Sequence, residues 1–264
     1  MSTIQAAFSA CHERGEKALV VFVTAGDPDL AELPGILEAL EEGGADVIEI
    51  GLPFSDPIAD GPSIQASSQR ALDRGVRPLD ALKVLASAKG KVPRIVMGYI
   101  NTVLQPGLES FADQALAAGV SGSILCDVTP EEAGDWIDVS RNKGLDTVFL
   151  AAPTSTDARL DLVVERGRGF IYAVSRTGVT GKGQQTFVEA RELVSRLRSR
   201  TDLPIAVGFG ISKPDDVRAV CEFADGAVVG SLIVDFLAEH WKGGAGREEL
   251  VAMVRDLKAA TKAV

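Results

Sequence analysis

Short runs rich in Val, Ile and Leu recur along the chain at intervals of roughly 25 to 45 residues. Each run is followed by a loop that contains Gly, Pro or Asp, and then by a segment whose apolar residues recur with a helical period. The runs have the length and β-branched content of buried parallel strands. The pattern predicts eight strands, over residues 19–24, 47–51, 94–98, 122–126, 147–151, 169–174, 204–208 and 226–229.

The segments between these runs predict amphipathic helices. In the first, Leu30, Leu33, Leu37 and Leu40 mark one face, so Pro34 must lie in the first turns or kink the helix. The predicted helices cover residues 30–42, 79–88, 108–118, 131–142, 158–166, 187–198 and 214–223. Extra helices are predicted over 4–13, before the first strand, over 63–72, in the second strand-to-helix connection, and as a short helix from Ser231.

Eight alternations of strand and helix in 264 residues favour an α/β (β/α)8 TIM barrel over an open doubly wound sheet. No Gly-x-Gly-x-x-Gly follows the first strand, and the helix over 4–13 would close the bottom of the barrel. Because no linker or low-complexity tract interrupts the pattern, we expect residues 1–264 to form a single domain. In such barrels the active site lies at the carboxyl ends of the strands.

The composition, 46% hydrophobic with 27 Gly and 12 Pro, is typical of a soluble globular protein. No run approaches the roughly 18 consecutive apolar residues of a membrane span, and the polar segment 11–14 does not resemble part of a signal sequence. We therefore expect a cytoplasmic protein. The net charge of −10, with scattered Lys and Arg residues, argues against binding to nucleic acid or to an anionic membrane.

Cysteine and histidine are too sparse to predict a metal site. Cys11, Cys126 and Cys221 lie far apart and are expected to be reduced and structural. His12 and His240 lie near opposite ends of the chain. This separation argues against a histidine-dependent triad and against a multi-histidine metal site. Proton transfers in an enzyme of this sequence would therefore depend chiefly on carboxylates.

Residues 45–62 place one carboxyl group in a predicted strand and another in the following loop. A buried strand over 45–51 would desolvate Glu49 and raise its pKa, so that the carboxyl could hold a proton near neutral pH. Asp60, in a loop, can remain ionised, and two carboxyls in different environments can take different roles. The alternatives are a structural, salt-bridged Glu49 and an Asp60 that only forms a turn.

Three Gly-containing segments, over 175–181, 208–212 and 229–231, follow the last three strands. Together they predict a phosphate site, because glycine lets backbone N–H groups approach an anion and a helix from Ser231 would add its positive end. Alternatively, they are ordinary turns. A flat apolar pocket, or simple core, is predicted from residues at strand ends: Phe22, Met97, Tyr99, Ile124 and Tyr172.

Over nearly its whole length the chain resembles the tryptophan synthase α subunit family. The resemblance rests on the run 51–62 with Ile64 and Gln65, on Tyr99 with Asn101, and on the Gly-containing segments 175–181, 208–210 and 230–231. It implies a (β/α)8 barrel that cleaves indole-3-glycerol phosphate to indole and glyceraldehyde 3-phosphate. It also implies an αββα heterotetramer in which indole passes to a β subunit that holds pyridoxal phosphate, with no cofactor in this chain.

The resemblance also implies residue roles. Glu49 would protonate the indole carbon that bears the side chain and help to move the glycerol hydroxyl proton, and Asp60 would accept the indole N–H. Indole and glycerol would be surrounded by Phe22, Ile64, Met97, Tyr99, Ile124, Tyr172 and Thr180. Phosphate would be bound by Gly181, Phe209, Gly210, Gly230 and Ser231, and Pro53 and Asp56 would face the β subunit.

The sequence departs from the family pattern at Thr102 and Thr129, where proline is frequent. Both positions lie on the expected partner side, so the departures put the tightness of β-subunit binding in doubt. Three other functions stay open. The chain could be a stand-alone indole-3-glycerol-phosphate lyase, another phosphate-binding barrel isomerase, or a barrel that binds and activates a partner without turnover.

Overall fold

A nearly closed ring of parallel strands forms the centre of the protein. The computed structural model describes residues 2–175, 185–208 and 210–262. Within them the strands are β1 Ala18–Thr24, β2 Val47–Gly51, β3 Arg94–Gly98, β4 Val120–Leu125, β5 Asp146–Val148, β6 Leu150–Ala151, β7 Ile171–Val174, β8 Ile205–Gly208 and β9 Gly226–Val229. Their order in the sheet is β5-β4-β3-β2-β1-β9-β8-β7-β6. Only Phe149 separates the two edge strands in sequence, so the sheet curls round into the predicted TIM barrel.

The fifth predicted strand, over 147–151, is divided in the structure. β5 pairs with β4, β6 pairs with β7, and Phe149 lies between them. The sixth predicted strand, over 169–174, begins two residues later than expected. Gly169 has φ +79°, which is left-handed and outside the range of a strand. These differences shorten individual strands and leave the barrel plan unchanged.

Helices surround the sheet in the order that the sequence predicts. They are α1 Thr3–Glu13, α2 Leu33–Gly43, α3 Pro62–Asp73, α4 Pro78–Ser87, α5 Ile100–Leu104, α6 Leu108–Ala117, α7 Gly134–Lys143, α8 Asp157–Arg166, α9 Gln185–Arg198, α10 Pro214–Cys221, α11 Ser231–His240 and α12 Arg247–Ala259. A 3-10 turn, Leu30–Glu32, precedes α2, and Pro34 lies in the first turn of α2. Sequence analysis did not predict α5 or α12. In the described part of the chain, none of the helices is long and apolar enough to cross a membrane.

Side chains of β2 alternate between the two sides of the barrel wall. Val47 belongs to the apolar cluster inside the barrel, whereas Ile48 and Ile50 pack outward against the helices. Glu49 therefore points inward, because neighbouring residues of a strand face opposite sides. Below it, α1 closes the bottom of the barrel with Phe8, whose ring centroid lies 5.5 Å from that of Phe170.

Polar contacts fix α3, the helix that follows the β2 loop, to the top of the barrel. Arg70 donates two hydrogen bonds to the buried carboxylate of Asp27, at 2.8 and 2.6 Å. One turn earlier, the Ser67 hydroxyl lies 2.6 Å from the Thr24 hydroxyl. These contacts join α3 to β1 and to the loop after it, so the start of α3 has a defined position at the barrel mouth.

We predict that Arg70→Met lowers the free energy of unfolding by about 2 kcal/mol, because it leaves the buried Asp27 carboxylate with the more distant Arg74 as its remaining ion-pair partner among the described residues. Urea unfolding of both proteins measures the difference. Arg77→Met is the control, since Arg77 pairs with Asp80 on the surface and the loss of an exposed ion pair should change the stability much less. Equal losses in the two variants would contradict the importance of the buried pair.

Candidate active site

A cavity of about 290 Å³ opens at the carboxyl ends of the strands. Its walls come from β1, β2, β3, β7 and β9, from the loops after β2 and β8, and from the first turns of α3 and α11. The lining residues are Phe22, Glu49, Asp60, Gly61, Pro62, Ser63, Ile64, Met97, Tyr172, Gly210, Ile211, Val228, Gly230 and Ser231. The lining is mostly apolar and contains two carboxyl groups, which is typical of a small-molecule site.

Glu49 is fully buried and lines this cavity. Among the described residues, neither of its carboxylate oxygens has a hydrogen-bond partner. Burial raises the pKa of Glu49 to about 8, and the nearby charge of Asp60 contributes to the increase. A carboxyl group in this setting is largely protonated at neutral pH and has a proton available for whatever occupies the cavity.

Asp60 lies at the rim of the same cavity, two residues before α3. Its carboxylate accepts a hydrogen bond of 3.2 Å from the hydroxyl of Tyr99. Burial raises the pKa of Asp60 to about 6, while the Tyr99 hydrogen bond acts to lower it. Asp60 is therefore mostly ionised at pH 7. The two carboxyl groups of the cavity have pKa values on opposite sides of neutrality, which is the arrangement that separates an acid from a charge-stabilising base.

Two aromatic rings of the cavity lie against glycines of neighbouring strands. A Cβ atom added to Gly51 would lie 2.4 Å from Cζ of Phe22, and one added to Gly208 would lie 2.4 Å from the hydroxyl oxygen of Tyr172. The absence of a side chain at each glycine lets the adjacent ring lie against the barrel wall. The space between Phe22, Met97 and Tyr172 stays open as a result, and its apolar walls suit a planar aromatic ligand.

The opposite end of the cavity has backbone groups suited to an anion. Gly230 and Ser231 line it at the start of α11, a helix of ten residues, and Gly210 lines it from the loop after β8. Gly210 has φ +79°, a conformation that favours glycine. The N-terminus of a helix presents unpaired N–H groups and a partial positive charge, which together attract phosphate.

The structure brings most of the predicted site residues together, with some exceptions. Glu49, Asp60, Phe22, Ile64, Met97, Tyr172, Gly210, Gly230 and Ser231 all line the cavity. In the described part of the chain, Ile124 is buried in the inner core beneath the cavity, and Tyr99 lies behind Asp60 as its hydrogen-bond donor. Thr180, Gly181 and Phe209 lie outside the described residues.

Five lining residues were not among the predicted site residues. Gly61, Pro62 and Ser63 directly follow Asp60, so their adjacency was a usable signal. Ile211 lies within the Gly-containing segment after β8, and Val228 faces inward because Gly226 and Val228 alternate with outward residues of β9. Strand alternation would have identified Val228 only if the inward face had been known.

The predicted partner residues lie beside a second cleft, of about 500 Å³. Pro53 and Thr102 both line it. The Thr102 hydroxyl is buried and has no hydrogen-bond partner among the described residues. Asp56, in the same loop as Pro53, is exposed and accepts a hydrogen bond of 2.5 Å from Ser55.

No metal centre is formed by the residues that the structure describes, since they contain no group of three or more His, Cys, Asp or Glu side chains placed to hold an ion. The groups in the cavity that can act on a ligand are its two carboxyl groups, its aromatic walls and the N-terminus of α11.

Comparisons with known proteins agree on one family. The family model described as tryptophan synthase alpha chain matches residues 8–262. The tryptophan synthase alpha chain of Geotalea uraniireducens is 46% identical over 266 residues, covering 100% of this chain and 99% of that protein. The corresponding protein of Solibacter usitatus is 42% identical over 260 residues, covering 98% and 97%.

Solved structures agree with the sequence comparisons. A chain of tryptophan synthase from M. tuberculosis is 36% identical, with a TM-score of 0.89 and coverage of 100% of both chains. The tryptophan synthase subunit alpha of Legionella pneumophila is 31% identical, with a TM-score of 0.89 and coverage of 99% of this chain and 98% of that chain. The protein therefore belongs to the tryptophan synthase alpha chain family.

Proposed function

We propose that the protein cleaves indole-3-glycerol phosphate to indole and glyceraldehyde 3-phosphate, as the tryptophan synthase α reaction of tryptophan biosynthesis. The observation that carries the proposal is the pair of carboxyl groups at one cavity, with Glu49 buried and without a hydrogen-bond partner among the described residues, and with Asp60 at the rim. Membership of the family supports the same reaction. A phosphate-binding isomerase could share both the helix N-terminus at Ser231 and an acid/base pair, so the family match over residues 8–262 is what favours the lyase reaction over it.

In the proposed reaction Glu49 supplies a proton to the indole carbon that bears the glycerol side chain. Protonation there converts the ring to an electron-accepting indolenine. The carboxylate that remains can then take the proton of the hydroxyl group on the adjacent side-chain carbon. The carbon–carbon bond breaks, its electrons return to the ring, and the hydroxyl carbon becomes the aldehyde of glyceraldehyde 3-phosphate. Glu49 is again protonated at the end.

Asp60 stabilises the positive charge that develops on the ring nitrogen. Its carboxylate accepts the indole N–H, and the hydrogen bond strengthens as the ring gains a proton at carbon. Because Tyr99 and the mostly apolar surroundings of the cavity restrict solvent at the rim, the interaction is stronger than it would be in water. The proposed roles need one neutral and one ionised carboxyl group at pH 7, and a pKa of about 8 for Glu49 and of about 6 for Asp60 supports this.

The remaining contacts orient the substrate. The indole ring would lie among Phe22, Ile64, Met97 and Tyr172, and the phosphate would lie at the N-terminus of α11, against Gly230 and Ser231. Binding both ends of the substrate holds the scissile bond beside Glu49. Thr180, Gly181 and Phe209 complete the proposed set of contacts.

We further propose a cytoplasmic αββα complex with a tryptophan synthase β subunit, which would receive the indole and hold pyridoxal phosphate, while this chain needs no cofactor. The surface around Pro53 and Asp56 supports such a contact. Ile58, in the same loop, leaves 84% of its surface exposed, so its apolar side chain is available for contact with a partner. Thr102, which lines the cleft beside Pro53, stands where the family resemblance leads us to expect proline, and we expect it to alter the strength of this contact.

We predict that the isolated protein releases indole from indole-3-glycerol phosphate, and that a β subunit accelerates the release. Glu49→Gln should lower turnover by at least about 1,000-fold because it removes the transferable proton while keeping the shape of the side chain. Binding of a substrate analogue should change less than about threefold. The measurements are an indole assay with and without the β subunit, and calorimetric titration of the analogue.

Glu41→Gln is the matched control, because this carboxylate lies on α2 and accepts from the backbone N–H of Lys91, away from the cavity. Its turnover should equal that of the unchanged protein. Absence of indole release under both conditions would reject the proposed reaction, and full activity in Glu49→Gln would reject the role of Glu49. If the protein releases indole but does not bind the β subunit and is not accelerated by it, the protein is a stand-alone lyase.

We also predict a bell-shaped dependence of kcat/KM on pH. Activity requires an ionised Asp60 and a protonated Glu49, whose pKa values are raised to about 6 and about 8. Activity should therefore fall as the pH drops through about 6, where Asp60 gains a proton, and as it rises through about 8, where Glu49 loses one. Because the two carboxyls interact, the limbs report the pair. Initial rates of indole release between pH 5 and pH 9.5 test this, and constant activity from pH 7 to pH 9 would contradict it.

A further inference from the structure

The loop between β2 and α3 folds round a single aromatic residue. Early in the loop, the ring of Phe54 stacks on the ring of Tyr99, with centroids 4.8 Å apart and planes inclined by 14°. Later in the loop, the backbone N–H of Ala59 donates to the Tyr99 hydroxyl at 3.0 Å. The same hydroxyl donates to Asp60 at 3.2 Å. Tyr99 therefore contacts the loop at its ring face and at its hydroxyl.

The position of the Tyr99 ring decides whether its hydroxyl reaches Asp60. Tyr99 directly precedes α5, and its side chain is buried. Its hydroxyl is occupied in both directions, as an acceptor from Ala59 and a donor to Asp60. Rotation or displacement of the ring would lengthen both contacts together, and a hydrogen bond weakens steeply when its geometry is lost. Whatever fixes the plane of the ring also fixes the direction of this donor.

We propose that Phe54 is a positioning residue for the lyase reaction: its stack on Tyr99 holds the Tyr99 hydroxyl against Asp60 and so orients the Asp60 carboxylate toward the indole N–H. The role of Asp60 rests on the function proposed above. Phe54 does not line the cavity formed by the described residues and lies instead beside the second cleft, with Pro53 and Thr102. It acts on the substrate only through Tyr99 and Asp60.

The electrostatic surroundings of Asp60 make this role measurable. Among the described residues, the ionisable groups that interact with Asp60 from the packed elements are Glu49 on β2, Tyr99 after β3, Cys126 after β4 and Tyr172 on β7. Of the contacts that act on the pKa of Asp60, the Tyr99 hydrogen bond lowers it and burial raises it. Loss of this hydrogen bond therefore raises the pKa of Asp60, because the remaining neighbours favour its neutral form.

The test is Phe54→Leu, which removes the stacked ring and keeps an apolar side chain. The pKa of Asp60 is read directly from the ¹³C chemical shift of its carboxyl carbon in the full chain, assigned with Asp60→Asn. We expect it to rise by about 0.5 to 1 pH unit. The acid limb of kcat/KM for indole release should move in the same direction. We expect kcat to fall about tenfold with a change in KM of less than about threefold, because orientation is lost while the binding contacts remain.

Two controls separate this role from simple packing. Phe54→Tyr keeps the stacked ring and should restore the Asp60 pKa and kcat to within about twofold. Leu79→Ala trims another residue of the second cleft. It should lower the melting temperature without moving the Asp60 titration, since Leu79 has no part in the Tyr99 contact.

An unchanged Asp60 titration in Phe54→Leu overturns the proposal, as does an equal shift in Leu79→Ala. The carboxyl titration does not depend on turnover. If the unchanged protein released no indole and the Asp60 shift in Phe54→Leu were still present, the proposed reaction would fail while the link from Phe54 to Asp60 held.

Discussion

The inward direction of Glu49 is the constraint on which the site depends. In β2 it follows from the alternation of side chains, with Val47 inside the barrel and Ile48 and Ile50 packed against the helices. A shift of one residue in register would move Glu49 into the layer between sheet and helices and bring Ile48 or Ile50 inside. The pairing of Glu49 with Phe22 on β1 and with Ile95 on β3 holds the register from both sides. Outer packing of apolar residues thus decides where the reactive carboxyl points.

The cost of burying this carboxyl group sets its protonation state. An ionised carboxylate without partners is strongly unfavourable in a dry interior, and the group reduces that cost by retaining a proton. The negative charge of Asp60 adds to the effect. Asp60 differs because Tyr99 donates to it, which favours the ionised form. One hydrogen bond and the difference in burial are therefore sufficient to give two carboxyl groups of the same cavity opposite states near neutral pH.

The sequence predicted the presence of these groups better than their contacts. It predicted that Glu49 is buried, but a strand that is apolar on both faces carries no periodicity from which the inward face can be read. The break at Phe149 was not predicted, because the run over 147–151 has uniform strand propensity and the break depends on pairing with two different neighbours. Tyr99 was expected to line the pocket. Its contact with Asp60 joins residues 39 positions apart, and such a contact depends on the path of the loop, which local pattern does not specify.

The position of Asp60 is well defined because its irregular loop packs against regular elements of the barrel. The loop that carries Asp60 has little regular structure of its own, yet it is held at both ends. Its C-terminal end runs into α3, which Arg70 and Ser67 fix to the region of β1. Its N-terminal end leaves β2 at Gly51, where the backbone N–H of Leu52 donates to the carbonyl of Met97 on β3 at 2.8 Å. Between these ends the loop contacts Tyr99. A loop fixed at three places can still present its outer surface to solvent or to a partner. The carboxylate on its inner side meanwhile keeps the orientation that charge stabilisation requires.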